Sequence, residues 1–427
     1  MKAIDVLIIY EHIARELESA VLLEEKLIKA GYTVRLCQVG WNEGPAHLHY
    51  QPKIVVVPWC YDNREYDYFS KFVGSYEGNY LKILNIHCEQ LSNANALALM
   101  IPSGKARDVY HLVWGKYFED ILKNKGVSPN LIYKTGSGRL DFFRKEYSGI
   151  SKSRDFLANK YGLKSNKKWV LLIGNYNGGL LTNTGLDALE KKGYSNIQEL
   201  AILTQKTYHT NNLWYEEACM DSEISDTVEF IYRPHPSEIT TTEIKKIERD
   251  HNNFHIIQDY AIRDWIVNSD IAFSWNSTSA VEVASAGVPI FALRPFKIRE
   301  DMQIPLLEYI EKVTTKEEFI ERLKAKPDSS INKEFKEQIS YYYSIDQEPA
   351  VDMICSIISK ELNTKDNLIK GRGNVFFGLL KQINYWIKMF LYKTHMYPRF
   401  SQYAVLYENY ASPDKVKEVR EQIEGII

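Results

Sequence analysis

Three short stretches carry side chains suited to binding an anion. Residues 230–238 read FIYRPHPSE, an apolar run that stops at Arg233 and is followed by His235 between two prolines. Proline fixes its own φ and pushes the preceding residue towards extended backbone, so Arg233 and His235 are stiffened where a strand should end. A ring N–H and a guanidinium fork presented there could bind a phosphate oxygen. Further on, DIAFSWNSTSAVEVASAGVPIFALRP (270–295) places Ser277, Thr278 and Ser279 between a strand and a short helix that should close at Gly287. Hydroxyls and unsatisfied amides at a helix start form an anion site. Glu282, one turn further in, could accept both hydroxyls of a ribose. The third stretch, GNYNGG (174–179), directly follows an apolar run, and around Gly174 and Asn175 backbone amides could approach a phosphate closely. It is not G-x-G-x-x-G, so a dinucleotide fingerprint is absent. Each stretch also has a plain structural reading: a stiff turn with Arg233 paired to an acid, a capped helix, a flexible glycine loop.

Transfer to a hydroxyl needs a base for the departing proton. Glu11 stands directly after the first apolar run with Glu16 on the next helical turn, and Glu89 in NIHCEQ and Asp141 in GSGRLDFF are further candidates, in that order. Glu11–Arg15 and His12–Glu16 are i,i+4 pairs, so ordinary surface pairing is a serious alternative for the first two. The chain has no D-x-D and no Asp/Glu/His cluster at metal-ligand spacing. The expected chemistry is therefore metal-independent, with Arg233, His235 and helix amides neutralising a leaving phosphate.

These residues must be positioned by strands and helices, and the patterning supplies both. IDVLIIY (4–10), TVRLCQV, KIVVVPW (53–59), LKILNIH (81–87), HLVWG (111–115) and LIYK read as strands buried on both faces. Helical periodicity separates them, beginning with EHIARELESAVLLEEKLIKAGY, which predicts a parallel α/β sheet. A polar, lysine-rich stretch at about 145–167 reads as a linker. The pattern then restarts with WVLLIG, TVEFIYRPHP, NFHIIQDY, DIAFSWNSTS and VPIFALRP. The reading is α/β, two doubly wound halves facing a cleft: a domain over 1–150, a second over 165–360, and a helical extension over 365–427. In that extension, residues 365–400 hold seven Lys/Arg against one acid, Asp366. Phe376, Leu379, Leu380, Ile383, Trp386, Ile387 and Phe390 form one helical stripe there, with Lys381 and Lys388 on the other side. Such a helix suits an anionic membrane surface, or packs back across the domains.

Composition excludes other classes. With 427 residues, 45% hydrophobic and 25% charged, the chain can bury real cores. A net charge of −2 gives no global attraction to nucleic acid. Five scattered cysteines without C-x-x-C suit a reducing compartment rather than a zinc site or disulfide framework. The opening MKAIDVLIIYEH reads as neither a secretion signal nor a membrane span, and an intracellular protein is expected.

YRPHPSE followed by SWNSTSAVEVASAGVPIF resembles the donor-binding domain of GT-B glycosyltransferases, more narrowly those making bacterial capsule, lipopolysaccharide and related surface glycans. In the first half IIYEHIARELESAVLLEEKLIKAGYTV, VWG and GSGRLDFF resemble surface carbohydrate biosynthesis proteins. The likeness spans most of residues 1–360. It implies that 1–150 is the acceptor side and 165–360 the nucleotide-sugar donor domain. His235 with Ser277 and Thr278 would match the phosphate contacts of sialyl-, polysialyl- and Kdo-transferases, and Glu282 a ribose-binding glutamate. The implied donor is a nucleotide-sugar co-substrate, CMP-linked acidic sugars such as Kdo leading, with no other cofactor. The implied acceptor is a glycan or lipid-linked glycan at the inner leaflet of the cell membrane. A CDP-polyol phosphotransferase of teichoic-acid type and a GT-B sugar-nucleotide epimerase are the alternatives. One departure concerns the base: the sialyltransferase-like families carry an acidic-acidic-glycine motif, and this chain offers only Glu77-Gly78 in SYEGNY.

Overall fold

The apolar runs of the first half fold as β1 (Lys2–Tyr10), β2 (Val34–Gln38), β3 (Tyr50–Val57), β4 (Tyr80–Asn85), β5 (Tyr110–Val113) and β6 (Ile132–Lys134). They pair in parallel in the order β2-β1-β3-β4-β5-β6. Those of the second half give β7 (Lys168–Ile173), β8 (Val228–Arg233), β9 (Phe254–Ile256), β10 (Ile271–Ser274), β11 (Ile290–Leu293) and β12 (Lys312–Val313). This second parallel sheet runs β12-β11-β10-β7-β8-β9. The computed structural model describes residues 1–73, 80–191, 193–235, 238, 240–326, 328, 332–396, 407 and 409–427. Each sheet belongs to its own compact unit: unit 1 comprises Met1–Gln90, Met100–Ile150 and Tyr341–Ile427, and unit 2 comprises Leu91–Leu99 and Ser151–Ser340.

The strand orders matter for function. Counted from β7, the second sheet reads 3-2-1-4-5-6, the doubly wound nucleotide-binding order, whose direction of winding reverses between β7 and β10. The first sheet reads 2-1-3-4-5-6, with its reversal between β1 and β3. Both sheets are covered by helices, as the unbroken apolar strands require. In unit 1 the helix Glu18–Lys29 buries Val21, Leu22, Leu23 and Leu27 against Val6, Ile8, Ile54 and Val56. Unit 2 packs an aromatic core, with Tyr208, Trp214 and Tyr215 of the helix Ile197–Met220 lying against Phe230, Tyr232 and Phe273.

The sequence reading ended the second domain at 360, but from Tyr341 onward the chain returns to unit 1. Gly115 of VWG accommodates that return: a Cβ there would lie 2.3 Å from the carbonyl carbon of Tyr342. The helix Ala350–Leu362 is then capped by Asp141, whose carboxylate accepts the Ala350 and Val351 amides at 2.8 Å each. At its far end Glu361 accepts a hydrogen bond from the buried Lys82 of β4 at 2.7 Å and another from Tyr133 at 2.8 Å. A final short strand, β13 (Ile369–Lys370), pairs antiparallel with the start of β4.

The basic extension forms the helix Val375–Lys393. It packs against the helix Glu43–His49 of unit 1, with Lys381 2.6 Å from Glu43 and Lys388 donating to the Gly40 carbonyl at 2.6 Å. The two lysines opposite the stripe thus face protein, while Phe376, Leu379, Leu380, Ile383, Trp386, Ile387 and Phe390 remain 48–68% exposed. Among the described residues no helix is long and apolar enough to cross a membrane.

Candidate functional site

Unit 2 gathers its candidates at one edge. Ile173 of β7 pairs with Arg233 of β8 on one side and Ser274 of β10 on the other, and Ser274 pairs with Ala292 of β11. The four strands therefore end on one line. Ligands of doubly wound sheets bind beyond the carboxyl ends at the reversal point, because loops diverge there and leave a crevice. That point is β7/β10, flanked by the Gly174–Asn175 loop and by Ser277, Thr278 and Ser279. The two loops are joined directly, Asn175 donating from Nδ2 to the Asn276 carbonyl. His235 follows β8, on the other side of β7.

The details redistribute the roles. His235 is half-buried, and its carbonyl accepts the Glu238 amide at 2.7 Å, closing a tight turn. Glu238 is buried and accepts from the Tyr176 amide at 2.9 Å and from the Tyr232 hydroxyl, tying β8 to the loop after β7. This carboxylate explains Gly174, where a Cβ would sit 2.9 Å from Glu238 Oε1 and from the Tyr232 hydroxyl. The Gly174 amide donates to the Arg233 carbonyl at 2.9 Å, so it is a sheet amide rather than a phosphate ligand. Ser277, Thr278 and Ser279 are half-buried, with the Ser279 amide donating to Ser277 Oγ at 3.3 Å. The helix Ser279–Ser285 buries Glu282.

Arg233 does not join this group. Its buried guanidinium donates to the carbonyls of Ile257, Asp259 and Tyr260, at 3.4 Å and 2.8 Å for the first two. It clamps the loop after β9 to β8, and burial pulls its basicity down to about 10. Proline at 234 helped to suggest a presented fork, but the side chain turns along the sheet towards three unsatisfied carbonyls, which a guanidinium serves well.

Unit 1 assembles its acids at the end of β1. Glu16 is buried, and its Oε2 accepts the Glu11 amide at 2.7 Å. Arg15 lies 3.9 Å from Glu16 Oε1 and 3.9 Å from Glu89 Oε2, while Glu11 Oε2 lies 3.7 Å from His12 Nε2. The first turn, Ile13–Leu17, is a π-helix, a wider turn that recurs at functional sites. Burial and the Glu16 carboxylate raise the pKa of Glu11, with Arg15 opposing. Asp141 is taken up by its helix cap, with burial pushing it up to about 6. Glu77 and Gly78 lie outside the described residues.

Beside these acids is a pocket enclosing about 660 Å3 of empty space, its solvent-open mouth included. It runs along the carboxyl ends of β1, β4, β5 and β6, with Arg15, Glu16, Ser19, Ser137 and Arg139 among its polar walls. Sequence reasoning found Glu16 here but not the pocket, because its walls come from segments as distant as Ile8 and Ile354. Among the described residues no three His, Cys, Asp or Glu side chains are grouped to hold a metal ion.

No protein-family model and no curated protein matches the chain. Solved structures do. A wall teichoic acid polymerase TagF variant, H548A, superposes with a TM-score of 0.55 at 11% identity, covering 84% of this chain and 89% of that one. TagF itself gives 0.53 at 12% identity, with the same coverage. A putative UDP-N-acetylglucosamine 2-epimerase from Listeria monocytogenes gives 0.50 at 15% identity, covering 86% and 98%. At these identities the likeness is one of fold, and that fold is GT-B.

Proposed function

We propose that the chain is a glycosyltransferase that moves a sugar from a nucleotide-activated donor to a hydroxyl of a growing surface glycan. One observation supports the reading: His235, the Gly174–Asn175 loop and Ser277–Ser279, chosen from separate stretches of sequence, follow the neighbouring strands β8, β7 and β10 at the carboxyl edge of a sheet with the doubly wound nucleotide-binding order. The fold shared with TagF and with the putative UDP-N-acetylglucosamine 2-epimerase is consistent with an enzyme that acts on a nucleotide-linked substrate.

In the proposed reaction unit 2 holds the donor, His235 and the hydroxyls of Ser277 and Thr278 contacting phosphate and Glu282 the ribose. Unit 1 holds the acceptor in its pocket. Glu11 takes the proton from the acceptor hydroxyl, whose oxygen bonds to the anomeric carbon. The bond from that carbon to the phosphate oxygen breaks, and its electron pair leaves with the nucleotide. A carboxylate whose pKa is raised by burial is a better base near neutral pH than a solvated one, and Glu16 holds the Glu11 backbone in place. CMP-linked acidic sugars are the donors that the sequence resemblance puts first. The exposed stripe of Val375–Lys393 would lie on the inner membrane face where lipid-linked acceptors reside.

The test is incubation of purified protein with CMP-, UDP-, GDP- and dTDP-sugars and glycan acceptors, followed by assay of nucleotide release. Glycosylated acceptor is the expected product. Phosphate carried into the product would assign polyol phosphotransfer instead, and donor isomerised without acceptor would assign an epimerase. No turnover of any donor overturns the proposal.

A further inference from the structure

Arg294 is a buried cation with no partner among the described residues. It follows β11, where its amide donates to the Val313 carbonyl at 2.8 Å. Its side chain is 5% exposed, and none of Nε, Nη1 and Nη2 reaches solvent or a hydrogen-bond acceptor. Other buried cations here are served: Arg233 by three carbonyls, Lys82 by Glu361, Arg263 by Ser151 Oγ at 3.1 Å. The guanidinium of Arg294 lies instead over the ring of Trp275, 4.5 Å from its centre. That contact favours the charge but satisfies none of the five N–H donors. The carboxylate whose field reaches it, Glu308, is itself bonded to Lys312 at 2.5 Å and to Gln303.

A buried charge without a partner costs several kcal/mol, so a fold that keeps one keeps it for a reason outside its own stability. Its place supplies the reason. The line Arg233–Ile173–Ser274–Ala292 crosses four strand ends in register. Two residues beyond that line on each strand stand His235, Asn175, Asn276 and Arg294. Arg294 thus follows β11 as Asn276 follows β10, Asn175 follows β7 and His235 follows β8, one strand over from the winding reversal. Tyr176, in the loop after β7, is near enough for its phenol to act on the same guanidinium. Ser274 Oγ, at the end of β10, and Asn276 Oδ1, just beyond it, are also buried without hydrogen-bond partners among the described residues.

We propose that Arg294 is a donor-binding residue whose guanidinium takes the second phosphate of a nucleoside diphosphate-linked donor, so that this site prefers diphosphate over monophosphate nucleotides. The proposal rests on the donor reading of unit 2 above. The phosphate of a CMP-linked sugar carries one negative charge, which an imidazole and hydroxyls can serve; a diphosphate carries two and calls for a further cation. A guanidinium kept from water binds such a group more strongly than a solvated one, and because none of its nitrogens now reaches solvent, the side chains that cover it must move aside as the ligand enters. It follows that the CMP preference drawn from sequence resemblance gives way to CDP-, UDP- or GDP-linked donors.

Calorimetric titration and thermal shift of the purified full chain with CMP, CDP, UMP and UDP test this. Wild type should bind CDP or UDP at least about tenfold more tightly than CMP or UMP. Arg294→Met should erase that ratio while leaving the monophosphate affinity in place, and the ligand-free variant should melt at or above the wild-type temperature because it loses an unpaired charge. Arg294→Lys, which keeps the charge without the fork, should retain part of the ratio. A wild type that binds CMP as tightly as CDP overturns the proposal, as does an Arg294→Met protein with an unchanged ratio or a lower ligand-free melting temperature. If wild type binds none of the four nucleotides, the donor reading of unit 2 falls together with it.

Discussion

The carboxyl edges of the two sheets hold charge in opposite ways. At the end of β1, Arg15 stands between Glu16 and Glu89, and Glu16 also accepts the Glu11 amide, so the unit 1 edge carries its acids with a counter-ion in place. Beyond the strands of unit 2, Arg294 is buried without a bonded anion among the described residues, and His235 and Ser277–Ser279 stand half-buried at the same edge of the sheet. The first arrangement suits proton abstraction, where a carboxylate must keep an adjusted pKa before substrate arrives. The second suits capture of an anion, where the missing charge comes with the ligand. Similar doubly wound sheets thus present different arrangements of charge through the loops they carry.

The sharpest way to break this comparison is Glu11→Gln. It should lower turnover by 10²- to 10⁴-fold, the usual contribution of a general base, while nucleotide affinity measured calorimetrically stays at the wild-type value. His235→Ala should do the reverse, weakening donor binding with the melting temperature unchanged. If Glu11→Gln weakens nucleotide binding and His235→Ala does not, the roles of the two edges are exchanged.

Unit 1 also depends on the returning chain in a way that unit 2 does not. Lys82→Ala leaves Glu361 buried without its cation and should cost about 3–5 kcal/mol in denaturant unfolding. Because the lost contact lies wholly in unit 1, the loss should appear in its transition and leave nucleotide binding by unit 2 in place.

Acid separates the units further. Burial holds His47 and His111 of unit 1 down to about 4, although Glu43 opposes this at His47. The unfolded chain takes up protons near the ordinary histidine value of 6.5, while the folded chain does not until about 4. Stability contributed by these neutral rings is therefore complete above pH 6.5 and lost as pH falls towards 4. Asp141 of the same unit, raised to about 6, contributes in the opposite sense across that window. The histidine share is therefore read as the difference in urea midpoints between wild type and a His47→Gln, His111→Gln variant; a difference that does not change with pH would mean the rings are protonated in the folded state.

The smallest effect on folding should come from the exposed stripe. Phe376→Ser with Trp386→Ser should change stability by no more than about 0.5 kcal/mol per site, as surface substitutions do, yet reduce sedimentation with phospholipid vesicles. Unchanged sedimentation would separate the stripe from any lipid role.

Much of this architecture could be read from the chain. Runs such as IDVLIIY and WVLLIG announced strands covered on both faces, and helical spacing between them required parallel pairing. FIYRPHPSE and NSTS were recognisable because backbone stiffening and hydroxyl clustering are local properties of a few residues. β12 and β13, each of 2 residues, carried too little periodicity to find. Arg233 looked like an anion ligand because the loop carbonyls that occupy it lie 24 to 27 residues away.

Arg294 marks the same boundary from the other side. Within VPIFALRP it reads as any arginine after a strand, since nothing local reveals whether a guanidinium is solvated, paired or dry. Sequence by itself determined the strands, their parallel sense and the residues at their ends, because periodicity and turn chemistry act over short distances. The order of strands, and with it the row that joins His235, Asn175, Asn276 and Arg294, belonged to the tertiary structure. Only packing decides which strand ends become neighbours and which charges find partners.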